Sequence, residues 1–299
     1  MKIAYHPIYH HPLPESHRFP MEKYTLLEGQ IRQEGLDQEG GWIMPSEADE
    51  QKILRTHCPV YWNRLKNGTW SRQEERKSGF KWSPQLIRRE TIIMQGSMEC
   101  ALHALNGGIA LNIAGGTHHA FRDSPEGFCL LNDLMMSAHE VLETDSTARV
   151  LVVDLDVHQG NGTASLAQGD PRIFTFSMHG RTNYPFHKEK SDLDIALEDG
   201  TQDAEYLQTL HFHLDGILDA FNPTVVLYQS GVDVLASDKL GKLALSLKGC
   251  MERDRLVLSR CRDRDVGVAC AMGGGYSPDI RTIVEAHMQT FRVGRDLWS

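Results

Sequence analysis

Val150-Leu-Val-Val-Asp154-Leu-Asp156-Val-His158-Gln-Gly-Asn161-Gly decides how this chain folds. Its first part is an almost unbroken apolar run, the look of a strand buried on both faces of a parallel sheet. Its second part sets Asp154, Asp156 and His158 two residues apart, so a strand running into its exit turn aims all three polar groups to one side. Similar runs occur at Ala110–Ala114, Ile173–Ser177, Thr224–Gln229 and Val266–Met272. Between them, Asn132–Leu142, Thr201–Phe221 and Lys242–Cys261 repeat apolar residues at three- and four-residue spacing, which predicts helices. Strands alternating with helices are βαβ units, so the expected fold is α/β, an open, mostly parallel β-sheet flanked by helices. Residues 9–89 mix Pro, Trp and His with charge of both signs and predict helices joined by irregular loops on the edge or rim of the sheet. No linker divides the chain, so residues 1–299 are expected to form a single domain.

Composition narrows the functional classes. A hydrophobic content of 40% with 24% charged residues is that of a globular protein. No apolar run approaches the roughly 20 residues a membrane span needs, and the N-terminus lacks the pattern of a signal peptide. Six cysteines without a C-x-x-C pair suggest reduced thiols in a cytoplasm. The net charge of -9 disfavours nucleic acid as a partner and is compatible with a cationic substrate such as a lysine-bearing peptide or a polyamine. The basic stretches Arg72–Lys77 and Arg253–Arg264 are interleaved with acidic residues at near-helical spacing and read as solvated helix faces. Walker and Rossmann glycine spacings are absent, which leaves nucleotide binding without support.

In open parallel sheets ligands sit beyond the carboxyl ends of the strands. There this sequence places Gly115-Gly-Thr-His118-His119, Asp154-Leu-Asp156-Val-His158, Met178-His179-Gly180, Ser230-Gly-Val-Asp233 and Gly273-Gly-Gly-Tyr276, so five strand ends are expected to converge. D-x-D-x-H alone could be a polar strand end with caps for the next helix. Joined by Asp233, it becomes a two-Asp, one-His set suited to Zn²⁺ with an open position, and Fe²⁺ is accepted by the same donors. The His118-His119 doublet means little by itself, since fifteen histidines also produce His10-His11. Its position after an apolar strand and a Gly-Gly turn makes it a candidate general base and acid. Tyr276, an ordinary turn residue elsewhere, becomes a candidate hydrogen-bond donor to an oxyanion.

Gly-Gly-Thr-His118-His119-Ala, Glu126-Gly127-Phe128-Cys-Leu-Leu-Asn132-Asp133, the Asp154 to Gly162 segment, Ser230-Gly-Val-Asp233 and Gly-Gly-Gly-Tyr276 together resemble the zinc-dependent histone deacetylase superfamily. Arg18-Phe-Pro-Met21-x-Lys23-Tyr24 resembles its class IV and bacterial branch. The resemblance implies the arginase and deacetylase type of α/β fold, with a narrow tunnel leading an acylated lysine, or an acylated small amine, to the metal. It implies Asp156, His158 and Asp233 as metal ligands, His118 and His119 as the proton-transfer pair, Asp154 behind His118, and Tyr276 as oxyanion donor. Gly127, Phe128 and Tyr184 fall where the family places the tunnel walls, and Gly274 and Gly275 where the chain passes. The family also binds structural potassium, K⁺, using Asp154 and carbonyls near Asp156, His158, Ser177 and Met178. Asn161 departs from the best-known class I pattern, which has Asp there, and should leave His119 less basic. Tyr184 departs too, replacing a Phe.

The expected reaction is metal-dependent amide hydrolysis that removes acetyl or longer acyl groups from lysine side chains, with an acetylated polyamine or another small amide as the alternative substrate. A two-metal ureohydrolase would need further carboxylates where this chain has Gly160 and Leu235. A non-catalytic acyl-chain binding module would usually have lost a ligand or a catalytic histidine.

Overall fold

The apolar runs become strands whose alternate residues point into two separate cores. The computed structural model describes residues 1–38 and 40–298. Its strands are β1 (Lys2–Ala4), β2 (Trp42–Ile43), β3 (Ile109–Asn112), β4 (Val150–Asp154), β5 (Ile173–Gly180), β6 (Leu193–Leu197), β7 (Val225–Gln229) and β8 (Gly267–Ala271). They form one eight-stranded sheet in the order β2-β1-β3-β8-β7-β4-β5-β6, and every pairing is parallel. Leu111, Leu151, Val153, Val226, Tyr228, Val268 and Cys270 face one core. Their neighbours Ala110, Val150, Val152, Val225, Leu227, Ala269 and Ala271 face the other.

The second core is closed by α5 (Pro84–Leu105) and α6 (Asp133–Thr144), through Cys100, Ala101, Ala104, Met135, Ala138 and Val141. The first is closed by α8 (Asp203–Phe221), α9 (Leu247–Arg262), α10 (Ile280–Trp298) and α1 (Lys23–Gln33). The short helices α2 (Glu50–Thr56), α3 (Pro59–Asn67), α4 (Arg72–Ser78) and α7 (Asn161–Ala167) complete the set. The chain passes from β3 to β4 across the places later filled by β8 and β7, so the order reverses at mid-sheet. A crevice opens beyond the strand ends at such a reversal.

Five strands and three helices lie close to their sequence-predicted spans, and three differences have physical causes. The stretch 242–246 is not helical: Leu245 pairs with Leu235, and Ala236 N donates to Leu245 O at 2.9 Å. The helix α9 starts only where Ser246 Oγ accepts from Gly249 N. Strands β1, β2 and β6 are too short or too exposed to show a period, and residues 9–89 include the start of α5, a helix of 22 residues packed on β1, β3 and β8.

Arg253 corrects the expectation of a solvated face. It is 0% exposed, pairs with Asp254 at 2.8 Å, and donates to the carbonyls of Leu155, Ser230 and Gly231. Those carbonyls belong to the ends of β4 and β7, so one guanidinium ties both strand exits together. Arg253→Met should take the cation from Asp254 and a donor from these carbonyls, and cost about 3–5 kcal/mol of stability, read as a lower urea midpoint. A midpoint equal to wild type would contradict this role.

His57, between α2 and α3, holds the start of α6. Its Nδ1 donates to Phe121 O at 2.9 Å and its Nε2 accepts from Asn132 N at 3.0 Å. Burial holds its pKa down to about 4, against an ordinary 6.5. Between these values the unfolded chain binds a proton that the folded chain does not. The His57 contribution is therefore complete above pH 6.5 and fades as pH falls toward 4. Urea melts across that window should show a steeper loss for wild type than for His57→Gln; parallel curves would refute the assignment.

Candidate active site

Leu155 and Val157 turn into the core, which sends Asp154, Asp156 and His158 the other way, into the crevice. Asp233 arrives from the loop after β7. Asp156, His158 and Asp233 are 1%, 8% and 0% exposed, and one donor atom of each lies within 4.8 Å of the others. Among the described residues this is the only such group of His, Cys, Asp and Glu. His158 Nδ1 stands 3.0 Å from Asp156 Oδ1 and 3.1 Å from Asp233 Oδ2. The two carboxylates also accept from the backbone: Asp156 from His158 N and Gly274 N, and Asp233 from Val157 N.

These residues fit a divalent metal on their own chemistry. Three electron-pair donors converge in a buried space. Burial and the adjacent Asp156 carboxylate push Asp233 up, and Asp156 is held well down because His118 and His158 outweigh its burial. A cation between two such carboxylates relieves their mutual repulsion. The backbone is shaped around the set: a Cβ on Gly231 would overlap Asp156 Oδ2, and one on Gly274 would overlap Asp233 Oδ2. Gly160, at the position where a second ion would need a further carboxylate, has no side chain, and a Cβ there would overlap Asp154 Oδ2.

The histidine doublet lies beside the donors, its ring centroids 4.1 Å apart. His118 Nδ1 donates to Asp154 Oδ2 at 2.7 Å, while His119 Nδ1 donates to Asn161 Oδ1 at 2.7 Å. The amide of Asn161 is oriented by its other end, where Nδ2 donates to Glu126 Oε1 at 2.7 Å. One carboxylate partner and one amide partner split the two imidazoles. Burial disfavours the charged form of both, but Asp154 and Asp156 outweigh it at His118 and raise it to about 9. His119, buried beside two other imidazoles, falls well below 6.5.

The doublet's loop hangs on residues that the sequence analysis left without a role. Asp133, 0% exposed, accepts from Ser97 Oγ, Gly116 N, Thr117 N and Thr117 Oγ1. Asn132 caps α6 through Met135 N and donates to Ala120 O. Gln229 Nε2 donates to Gly116 O at 2.9 Å. Lys23, also 0% exposed, donates from Nζ to Gly273 O at 2.8 Å, and burial lowers it to about 8. The E-G-F-C-L-L-N-D string contained the first two, but a capping Asn and a buried Asp have no signature apart from their partners.

Tyr276 completes the cleft. Its backbone N donates to Asp238 Oδ2, while its hydroxyl has no partner among the described residues. His118, His119, Phe128, Asp156, His158 and Tyr276 line a single cleft of about 40 Å³. Gly127 and Phe128 form a wall in positive-φ conformations, 52° and 66°. Gly127 must be glycine, since a Cβ would come within 2.5 Å of His119 Cδ2. Tyr184 stands outside the cleft at its mouth, 5.3 Å from the His119 ring. Gly274 lines the cleft, whereas Gly275 faces Val232, Ile283 and His287 on the far side. Four strand ends supply the cleft, not five: β5 runs on through Gly180, and His179 turns to Ser177 Oγ at 2.9 Å.

The chain is similar to known proteins over most of its length. The family model of the histone deacetylase domain matches residues 17–291. The chain is 42% identical, over 99% of both lengths, to an uncharacterized protein of Picosynechococcus sp. (strain ATCC 27264 / PCC 7002 / PR-6). It is 28% identical to histone deacetylase 2 of Arabidopsis thaliana, over 87% of this chain and 70% of that one. Its fold matches the crystal structure of the HDA15 HD domain with a TM-score of 0.83 at 18% identity, over 98% of this chain and 90% of that one. The match spans the doublet, the Asp-His-Asp donor set and the glycine turn before Tyr276, and the chain belongs to the histone deacetylase domain family.

Proposed function

We propose that this protein is a metal-dependent amide hydrolase that removes acetyl or another short acyl group from lysine side chains. The observation that carries the reading is the split histidine pair, one imidazole on Asp154 and one on Asn161, facing the same cleft as Asp156, His158 and Tyr276. Asp156, His158 and Asp233 would hold Zn²⁺ or Fe²⁺, which when bound supplies Lewis acidity to polarise an acyl carbonyl and acidify a water.

The chain's own residues divide the remaining work. His119, with Nδ1–H committed to Asn161, keeps an Nε2 lone pair that removes a proton from the attacking water. His118, held charged by Asp154, returns a proton from Nε2 to the departing amine. Tyr276 donates its hydroxyl proton in a hydrogen bond to the oxygen on which negative charge develops. Phe128, and Tyr184 at the mouth, flank the alkyl chain and exclude water. The products are a carboxylate and a free amine.

The inner cleft of about 40 Å³ suits an acetyl-sized group better than a fatty chain. Turnover of acyl-lysine peptides should therefore fall as the acyl chain lengthens; a preference for long chains would contradict this part of the reading.

Variants separate the roles. Asp233→Ala should lose bound metal and turnover together. His119→Ala should keep its metal and lose roughly 10²–10⁴ in kcat. Tyr276→Phe should keep metal as well and lose about 10²–10³. An Asp233→Ala protein with a full equivalent of metal and normal hydrolysis would show the donor assignment to be wrong.

A further inference from the structure

Outside the cleft lies a wider recess of about 620 Å³, and its charge is opposite to that of the whole chain. Arg18, Arg76 and Lys77 line it, and no Asp or Glu does. None of the three cations has a carboxylate within 4.0 Å among the described residues; Arg76 Nε turns back to Arg72 O at 3.2 Å. Basic residues in the last turn of α4 are an ordinary complement to a helix dipole. That accounts for Arg76 and Lys77 on a helix but not for their place beside the cleft, nor for Arg18, which comes from a separate segment.

The placement is fixed by the same contacts that shape the cleft wall. Gly127 N donates to Lys77 O at 3.0 Å and Phe128 N to Ser78 O at 3.1 Å, so the end of α4 is hooked to the wall residue. Gly79 has φ 77°, and a Cβ there would come within 2.7 Å of the Phe128 ring, so the two segments touch. His17 Nε2 donates to Gly79 O at 2.8 Å, its Nδ1 accepts from Phe19 N, and its ring stacks on Phe80 at 5.4 Å. This draws Arg18 to the same rim. Across the mouth Phe186, 85% exposed, stands 6.3 Å from Tyr184, leaving an apolar ledge beyond the cleft.

Unpaired cations grouped at the mouth of a low-dielectric cleft focus a positive potential on whatever approaches it. From this we infer that the substrate is an acyl-lysine within a peptide segment carrying Asp or Glu near the lysine. Polyamines and Lys- or Arg-rich tails are disfavoured. The net charge of -9, taken alone, points to a cationic substrate; the local arrangement reverses that expectation, because rim charges act over about a Debye length, roughly 10 Å. The inference rests on the amide-hydrolase reading above and names the substrate that this reading leaves open.

The test uses three acetyl-lysine peptides of equal length, flanked by glutamates, by serines or by arginines, with the metal-loaded full chain. Binding is read by fluorescence anisotropy and turnover as kcat/KM, each at low and high salt. The glutamate peptide should exceed the arginine peptide by about tenfold in both readouts at low salt, and the ratio should shrink at high salt. Arg76→Gln/Lys77→Gln should reduce that ratio, and Arg76→Glu/Lys77→Glu should invert it, with unchanged thermal melts confirming that both variants fold. Equal ratios for all peptides, or a ranking unmoved by the variants, would overturn the inference. If no peptide is hydrolysed, the reaction assignment falls, while the anisotropy ranking still decides the charge preference.

Discussion

Two carboxylates at 1% exposure or less, Asp156 and Asp233, set the terms for the rest of the structure. Burying one ionised carboxylate costs several kcal/mol unless its charge is matched and its lone pairs are bonded. Here the bonds come from backbone N–H groups of two segments: Val157 for Asp233 and His158 for Asp156 after β4, and Gly274 for Asp156 again after β8. Those segments follow different strands, so the donors meet only if the strands end at a common level. The parallel sheet, the Arg253 tie between two strand exits and the Lys23 bond to Gly273 all serve that condition. The charge still unmatched is what makes the site a place for a divalent cation.

The same economy of supports explains the neighbouring imidazoles. His118 and His119 are adjacent in sequence and both fully enclosed, yet they face different partners because β4 ends beneath one and α7 begins beneath the other. A carboxylate under His118 and an amide under His119 push the two imidazoles in opposite directions although both are buried. Glu126, one step further out, fixes which end of the Asn161 amide His119 meets. The wall residue that follows Glu126 hooks α4 to the mouth, so the electrostatics of the rim and the geometry of the cleft share one short segment.

The central strands and the donor set were legible because each rests on a local pattern. A strand buried on both faces reads as an apolar run, and D-x-D-x-H at its exit shows a period of two. What escaped lacks such a pattern. The three residues of β1 and two of β2 cannot show a period, although β1 pairs with β3 in the sheet. Leu243, Leu245 and Leu247 alternate, but they sit within a stretch that also satisfies helical spacing, and the pairing of Leu245 with Leu235 decides between the two. Arg253 looks like one more surface arginine until its partners on β4 and β7 are placed around it. Rim charge is the extreme case, since Arg18 and Lys77 are brought together only by His17 and by the backbone of Gly127.

The most direct measurement is a Zn²⁺ titration of the chelator-stripped protein, following bound metal and acetyl-lysine peptide hydrolysis together. A single buried donor set predicts that hydrolysis starts from a baseline near zero, rises in proportion to bound metal and levels off at one equivalent. Full hydrolysis in the stripped protein, or activity appearing only after a second tight equivalent, would contradict the account.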